Sequence, residues 1–168
     1  ATGSLGSAFI KQLTSMPKIE TIYACSRSGE TITSHNIRAL ELDLVSEASI
    51  KAASEAIDKK LDLIIVASGV LYTNTIKPEK TLNDLSLEAL HSIFSVNTYG
   101  PALILKYFSP LLNKDHKNVF AILSARVGSI SDNRLGGWYA YRASKAALNM
   151  LIKTASIELS RINKKSII

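Results

Sequence analysis

Short apolar runs alternate along this chain with longer stretches of helical periodicity, and this alternation constrains the fold more than any other feature. The run over residues 61–67, Leu-Asp-Leu-Ile-Ile-Val-Ala, is nearly continuous, which is typical of a strand covered on both faces in a parallel sheet. Other short strands are predicted over residues 21–26, 40–44, 118–124 and 166–168. Helices are predicted between them over residues 4–16, 46–60, 87–112 and 138–159. The alternation predicts βαβ units, and therefore a parallel sheet with helices packed on it.

Two details of this pattern bear on where a ligand would bind. Ligands of open parallel sheets bind beyond the carboxyl ends of the strands, so the loops after Ser26, Ala67 and Ser124 are expected to converge on one crevice. The helix over residues 87–112 contains Gly100-Pro101, where we expect a bend because proline removes a backbone hydrogen-bond donor. The length of 168 residues fits one domain.

Charge and composition exclude several classes of protein. The 20 Lys and Arg residues outnumber the 14 Asp and Glu residues, but they are scattered along the chain, so no nucleic-acid partner is predicted. The excess of positive charge either attracts an anionic ligand or keeps the surface soluble. The longest apolar runs are far shorter than the roughly 20 residues that a membrane span needs, so no membrane partner is predicted.

Cysteine and histidine usage argues against structural metal sites and disulfides. Cys25 is the single cysteine, so no disulfide forms within the chain and a reducing cytoplasm is the expected compartment. His35, His91 and His116 lie far apart without the spacing of metal ligands, and no metal site is predicted.

A tyrosine and a lysine lie one helical turn apart near the start of the last predicted helix. Tyr141 and Lys145 are four residues apart, so their side chains emerge on the same face. A phenol has an ordinary pKa of about 10, and it becomes a useful proton donor or acceptor only where a neighbouring cation favours the phenolate. By itself the pair is a weak signal, because a lysine-rich helix contains such a spacing by chance.

The surroundings of this pair carry a more specific signal. Residues 121–130 read AILSARVGSI, and residues 137–149 read GWYAYRASKAALN. Together they resemble the short-chain dehydrogenase/reductase family, and within it the C-factor-like branch of cell-cell signalling proteins. The resemblance implies a Rossmann-like, doubly wound α/β fold, a parallel sheet with helices on both faces. It also implies that the first strand precedes Ala1 and the last strands follow Ile168, so that residues 1–168 form a single NAD(P)-binding domain that is incomplete at both ends.

The resemblance assigns catalytic roles to residues that match the family motif. Tyr141 is expected to be the general acid/base, Lys145 to support it and hold the nicotinamide ribose, and Asn97 to support a water-linked proton relay. The family usually has Ser-Ser-x-x-Gly before this helix, but here Ala125 occupies the second serine position. Since alanine donates no hydrogen bond, Ser124 is the expected substitute, with Ser129 as an alternative if the loop bends. Loss of one such donor costs on the order of 10²-fold in rate.

The resemblance also implies how a nucleotide would bind. The turn from Gly3 to Gly6 stands where the family has its glycine-rich motif, although the motif is incomplete, and its amides would face the pyrophosphate. After the strand over residues 21–26, Ser26-Arg27 offers a guanidinium to a 2′-phosphate and no carboxylate to a ribose hydroxyl, which favours NADP over NAD. The expected cofactor-binding residues are Gly3, Ser4, Leu5, Gly6, Arg27, Ser28, Asp43, Leu44, Ala67, Ser68, Gly69, Tyr141 and Lys145.

Two functions follow from the resemblance. The first is an NADP-preferring oxidoreductase that transfers a hydride between nicotinamide and a small carbonyl or alcohol substrate. Such an enzyme would form a homodimer or homotetramer through the helices over residues 87–112 and 138–159. The alternative, motivated by Ala125 and the signalling branch, is a nucleotide-binding signalling or regulatory protein with little or no turnover.

Overall fold

The computed structural model describes residues 1–30 and 34–168. Its strands are β1 (Ile22–Ser26), β2 (Ile37–Glu41), β3 (Leu63–Val66), β4 (Asn118–Ile122) and β5 (Ser166–Ile167). They form a two-stranded sheet, β1-β2, and a three-stranded sheet in the order β3-β4-β5. Each pairing is parallel, with Ile22 opposite Ile37 and Leu63 opposite Val119. The parallel α/β architecture predicted from the alternating pattern is therefore confirmed.

The helices are α1 (Ser4–Thr14), α2 (Glu47–Glu55), α3 (Leu87–Phe94), α4 (Gly100–Phe108) and α5 (Tyr139–Ile162). Helix α2 begins at the predicted cap, since the Ser46 side chain accepts a hydrogen bond from the Ser49 amide at 3.2 Å. It ends at Glu55, earlier than the predicted residue 60. In the described part of the chain, no helix combines the length and the apolar character that crossing a membrane requires.

The strand predicted over residues 40–44 was placed too late. Strand β2 ends at Glu41, and Asp43 and Leu44 lie in the turn that follows. The Asp43 side chain accepts a hydrogen bond from the Val45 amide at 3.1 Å, while its own amide donates to the Ser49 hydroxyl at 3.0 Å. These local bonds compete with strand pairing and direct the chain into α2.

The long helix predicted over residues 87–112 is interrupted. A π-helical turn, Ser95–Tyr99, separates α3 from α4, and Ser109–Leu111 forms a final 3₁₀ turn. The widened turn lies directly before Gly100-Pro101, and the bend expected there stays a prediction. Gly100 lets the helix approach the loop after β2, since a Cβ at this position would lie 2.7 Å from the Leu44 carbonyl oxygen.

The core lies between the strands, α2 and α4. Its buried members are Leu42, Ile50, Ala53, Ile57, Ile64, Val66, Ile104, Leu105, Phe108, Leu112 and Phe120. The expectation that the strand at 61–67 is covered on both faces is only partly met, because Ile64 and Val66 are buried while Leu63 is 40% exposed. Strand β3 is an edge strand of its sheet, and no ladder hydrogen bond joins it to β1 within residues 1–30 and 34–168.

Candidate active site

Asn97 lies in the π-helical turn and connects three segments of the chain. Its side chain is fully buried. The Asn97 amide nitrogen donates to the Val70 carbonyl at 2.8 Å and to the Ser144 hydroxyl at 3.1 Å, and its oxygen accepts from the Val70 amide at 2.8 Å. The loop after β3 is therefore tied to α5 through one side chain. In a buried site, satisfying both the donors and the acceptor of an amide favours a single arrangement.

Further hydrogen bonds hold the π-helical turn against α5. The Thr98 hydroxyl donates to the Ser144 carbonyl at 2.9 Å, and the Ser144 hydroxyl donates to the Tyr141 carbonyl at 2.8 Å. Thr98 and Ser144 are both buried. The sequence analysis did not single out either residue, although Ser144 lies directly before Lys145 in the motif.

The predicted pairing of Tyr141 and Lys145 on one helix face is confirmed. The Lys145 ammonium nitrogen lies 6.0 Å from the centre of the Tyr141 ring. Lys145 is 2% exposed and donates to the Leu123 carbonyl at 3.1 Å. Burial lowers the pKa of the Lys145 ammonium, because the charged form loses solvation.

The loops after β3 and β4 meet at this lysine. A Cβ built on Gly69 would lie 3.3 Å from the Lys145 Nζ and 3.6 Å from the Asn97 Oδ1, so the glycine leaves space beside both groups. Gly128, in the loop after β4, packs on α5 so closely that a Cβ there would lie 2.9 Å from the Lys145 Cβ. Convergence of these two loops is confirmed, while convergence of the loop after Ser26 stays a prediction.

Ser124 points its hydroxyl at α5. The Ser124 Oγ donates to the Asn149 Oδ1 at 2.6 Å, and Asn149 lies two helical turns beyond Tyr141. The Ser129 hydroxyl, the predicted alternative, accepts from the Asp132 amide at 3.3 Å within its own loop. Ala125, as expected, brings no hydroxyl to the end of β4. Asn149 is a functional candidate that the sequence analysis missed, because a contact between residues 25 positions apart leaves no periodic signal.

A left-handed turn directly precedes α5, in which Tyr141 is the third residue. Gly136, Gly137 and Trp138 have φ values of 64°, 63° and 53°, and Trp138 is the non-glycine residue in this set. The Trp138 indole packs edge-on against the Tyr141 ring, with the ring centres 6.4 Å apart and the planes at 74°. The Trp138 amide donates to the Glu79 carbonyl at 2.5 Å, so the loop before α3 also reaches this turn.

The predicted phosphate-binding turn opens α1. Gly3 caps this helix with φ −71°, and neither a capping side-chain hydrogen bond nor an acidic residue is present in its first turn. A Cβ on Gly3 would have no atom within 4 Å, whereas a Cβ on Gly6 would lie 3.2 Å from the Ala1 Cα. Ser4 and Leu5 lie in the first turn of this helix, where main-chain amides suit an anion. Gly3 does not adopt a left-handed conformation, and its role in cofactor binding stays a prediction.

The turn after β1 contains a carboxylate as well as the predicted arginine. Arg27 and Ser28 are exposed, and the Ser28 hydroxyl lies 3.4 Å from a Glu30 carboxylate oxygen. The Glu30 amide donates to the Ser28 Oγ at 3.3 Å. The other predicted cofactor residues lie in the loops after β2 and β3, at Asp43, Leu44, Ala67 and Ser68. No group of His, Cys, Asp and Glu in residues 1–30 and 34–168 is arranged to hold a metal ion.

Comparison with known proteins gives consistent similarities. The family described as short chain dehydrogenase matches residues 3–167. An uncharacterized oxidoreductase of Schizosaccharomyces pombe is 31% identical over 166 residues, which cover 93% of this chain and 64% of that protein. The C-signal protein of Myxococcus xanthus is 36% identical over 78 residues, 46% of this chain and 47% of that protein. The NADPH-bound carbonyl reductase from chicken fatty liver is 25% identical and superposes with a TM-score of 0.78, covering 97% of this chain and 71% of that chain.

Proposed function

The chain belongs to the short-chain dehydrogenase/reductase family, and we propose that it is an NADP-preferring oxidoreductase with Tyr141 as general acid/base and a small carbonyl or alcohol compound as substrate. The observation that carries this proposal is the position of the Lys145 ammonium. It is buried 6.0 Å from the Tyr141 ring centre, and the Leu123 carbonyl is its one acceptor within the described residues. An ammonium has three N–H donors, so donors remain beside the phenol for a ligand hydroxyl.

The proposed chemistry divides between a bound nicotinamide and the side chains of α5. When bound, the nicotinamide supplies the hydride to a carbonyl carbon or accepts it from an alcohol carbon. Tyr141 donates its phenolic proton to the carbonyl oxygen, so that an alcohol forms, and takes the proton back in the reverse direction. The Lys145 ammonium stabilises the phenolate that remains. Asn97 uses both N–H donors within the protein, so a relay water would bind to the remaining lone pair of its Oδ1.

The residues present fit a dinucleotide. The first turn of α1 offers main-chain amides to the pyrophosphate, and Gly69 leaves space beside Lys145 for the nicotinamide ribose. The Arg27 guanidinium would bind a 2′-phosphate, which favours NADP. The Glu30 carboxylate beside Ser28 is the group that would accept from a 2′-hydroxyl, and NAD is therefore the alternative. The related chicken carbonyl reductase is an NADPH-bound structure.

Ser124 is the proposed donor to the substrate oxygen. Its hydroxyl lies at the end of β4, but Asn149 accepts its proton at 2.6 Å. Substrate binding would have to exchange the Asn149 oxygen for the substrate oxygen. This exchange, together with Ala125 at the usual serine position, supports the second candidate function, a nucleotide-binding signalling protein with little turnover. The similarity to the C-signal protein points the same way.

Assembly and compartment are part of the proposal. Exposed apolar side chains occur on the long helical segments, where Tyr99 is 51%, Met150 67%, Leu151 40% and Ile157 45% exposed. Pairing of these helices in a homodimer or homotetramer would bury them. A reducing cytoplasm is the proposed compartment, because the chain's single cysteine, Cys25, is a free thiol.

The proposal is tested with Tyr141→Phe and, as a matched control, Tyr139→Phe on the same helix. We expect Tyr141→Phe to lower kcat by about 10²–10⁴-fold, because one proton-transfer group is removed. Tyr141→Phe should still bind NADPH, as followed by the fluorescence enhancement of the cofactor, through the other proposed cofactor residues. Tyr139→Phe should retain both NADPH binding and turnover.

Two results would change the assignment. No NADPH response at millimolar cofactor would overturn both nucleotide-based functions. Binding of NADPH without Tyr141-dependent turnover, over a panel of aldehydes, ketones and alcohols, would favour the signalling function over the enzyme.

A further inference from the structure

We infer that Glu79 is a positioning residue for Tyr141, acting through the first turn of α5. The inference rests on the proposed function, because it concerns the residue proposed as general acid/base. Glu79 lies in the loop before α3, 61 residues away from its side-chain partner on α5. It is 4% exposed, an unusual environment for a glutamate.

Glu79 contacts the start of α5 with both its main chain and its side chain. Its carbonyl accepts from the Trp138 amide at 2.5 Å, and its Oε2 accepts from the Ala140 amide at 3.3 Å. A Cβ on Gly137 would lie 3.3 Å from the same Glu79 carbonyl oxygen. The loop therefore lies directly on the left-handed turn and on the residue that precedes Tyr141.

Helix α5 has no capping group of its own at this end. Trp138 is in the N-cap position with no side-chain hydrogen bond, and the first turn contains no acidic residue. The first amides of a helix need acceptors. Glu79 supplies an acceptor to the Ala140 amide of this 24-residue helix from a loop distant in sequence.

The remaining carboxylate oxygen shows that this placement is costly. Glu79 Oε1 is buried and has no hydrogen-bond partner within the described residues. A buried carboxylate with one unsatisfied oxygen weakens the fold unless its other contacts compensate. The compensating contact is with the Ala140 amide, one residue before Tyr141. Without it the first turn loses an acceptor, and the Tyr141 phenol loses its defined position relative to Lys145.

The fluorescence of Trp138 allows this inference to be tested without measuring turnover. Trp138 is the single tryptophan of the chain, it is bonded to Glu79 through its amide, and its indole packs on the Tyr141 ring. Its emission spectrum and anisotropy in the folded protein therefore report the local order of the turn that Glu79 contacts.

The experiment compares Glu79→Ala, Glu79→Gln and Glu158→Ala, the last removing an exposed carboxylate elsewhere on α5. Glu79→Ala should shift the Trp138 emission to the red and lower its anisotropy. It should also lower kcat per folded molecule by roughly 10–10²-fold, because a small misplacement of a reacting group slows the reaction by this much. NADPH binding should be unchanged. Glu79→Gln, which keeps an acceptor for the Ala140 amide, should restore emission and kcat to near wild type, and Glu158→Ala should match wild type.

A purely structural role for Glu79 predicts a different outcome. In that case Glu79→Ala would lower the urea midpoint but leave Trp138 emission and the kcat of folded molecules unchanged, which would overturn the inference. If Glu79→Ala does not fold, Glu79→Asp carries the same test, because it retracts the carboxylate by one methylene. A chain without Tyr141-dependent turnover would refute the proposed function, while the Trp138 emission would still decide whether Glu79 orders the turn.

Discussion

The Asn97 side-chain amide is hydrogen-bonded to both main-chain groups of Val70, at 2.8 Å from the Val70 nitrogen and 2.8 Å from its oxygen. These two hydrogen bonds satisfy main-chain groups of the loop after β3 that pairing with a strand would otherwise satisfy. Gly69 is the preceding residue, so the two bonds also hold the glycine against Lys145. One side chain in a widened helical turn thus places the loop, the lysine and the start of α5 relative to one another.

Replacement of Asn97 by alanine should destabilise the fold. The change leaves the partly buried Val70 amide and carbonyl without their partner. The cost is at most that of a fully buried unsatisfied group, about 1–3 kcal/mol each. The urea midpoint should fall accordingly. Asn74→Ala, at an exposed asparagine, is the control, and equal midpoints for the two variants would show that the Val70 bonds contribute nothing.

Replacing Ser124 by alanine should lower kcat, whereas replacing Ala125 by serine should raise it. Ser124→Ala removes the proposed donor and is expected to lower kcat on the order of 10²-fold. Ala125→Ser restores a hydroxyl at the family's usual position and is expected to raise kcat. Both are measured under saturating NADPH with the best substrate of the panel. An unaffected Ser124→Ala variant would remove Ser124 from the proposed donor role, and the Ala125→Ser rate would then show whether that position is competent.

Charge reversal at Arg27 should change the cofactor preference. Arg27→Glu removes the guanidinium proposed for the 2′-phosphate, and loss of a charge-assisted hydrogen bond weakens binding by about 1.5–3 kcal/mol. The NADPH Kd should therefore rise by roughly 10–10²-fold, whereas the NADH Kd should not rise. Arg161→Glu, the same charge change at an exposed site on α5, controls for the net charge. Equal weakening of NADPH and NADH binding would contradict the 2′-phosphate assignment.

Asp58 should make the free energy of unfolding depend on pH in the acidic range. The Tyr23 hydroxyl donates to its carboxylate and the Arg38 guanidinium donates to both of its oxygens at 2.9 Å. These hydrogen bonds lower the pKa of Asp58 from 3.8 to about 2. The pKa of Asp58 is lower in the folded than in the unfolded protein. The ionised carboxylate therefore stabilises the fold at pH values above the unfolded pKa, and this stabilisation is lost as the pH falls through the folded pKa.

The measurement for Asp58 is the difference in urea midpoint between wild type and Asp58→Asn. This difference should be constant from neutral pH down to about 5 and should shrink between about 4 and 2. Asp115→Asn, which removes another exposed carboxylate, is the control for the loss of one negative charge. A difference that is independent of pH would mean that the carboxylate charge does not contribute.

Local periodicity was enough to predict the parallel α/β architecture and the shared face of Tyr141 and Lys145. Both depend on the fixed geometry of short segments, since a helix brings residues four apart onto one face and a parallel strand reads as an apolar run. The end of β2 was not predictable in this way, because side-chain bonds from Asp43 and Ser49 replace strand pairing there.

The sequence by itself determined the order of strands and helices, the spacing of the tyrosine and lysine, and the absence of a hydroxyl at Ala125. Only the tertiary structure decided that Asn97 binds Val70, that the Ser124 proton goes to Asn149, and that Glu79 reaches the start of α5. These contacts join residues 27, 25 and 61 positions apart. No local period encodes such distances, because they follow from how the loops and helices pack around a common core.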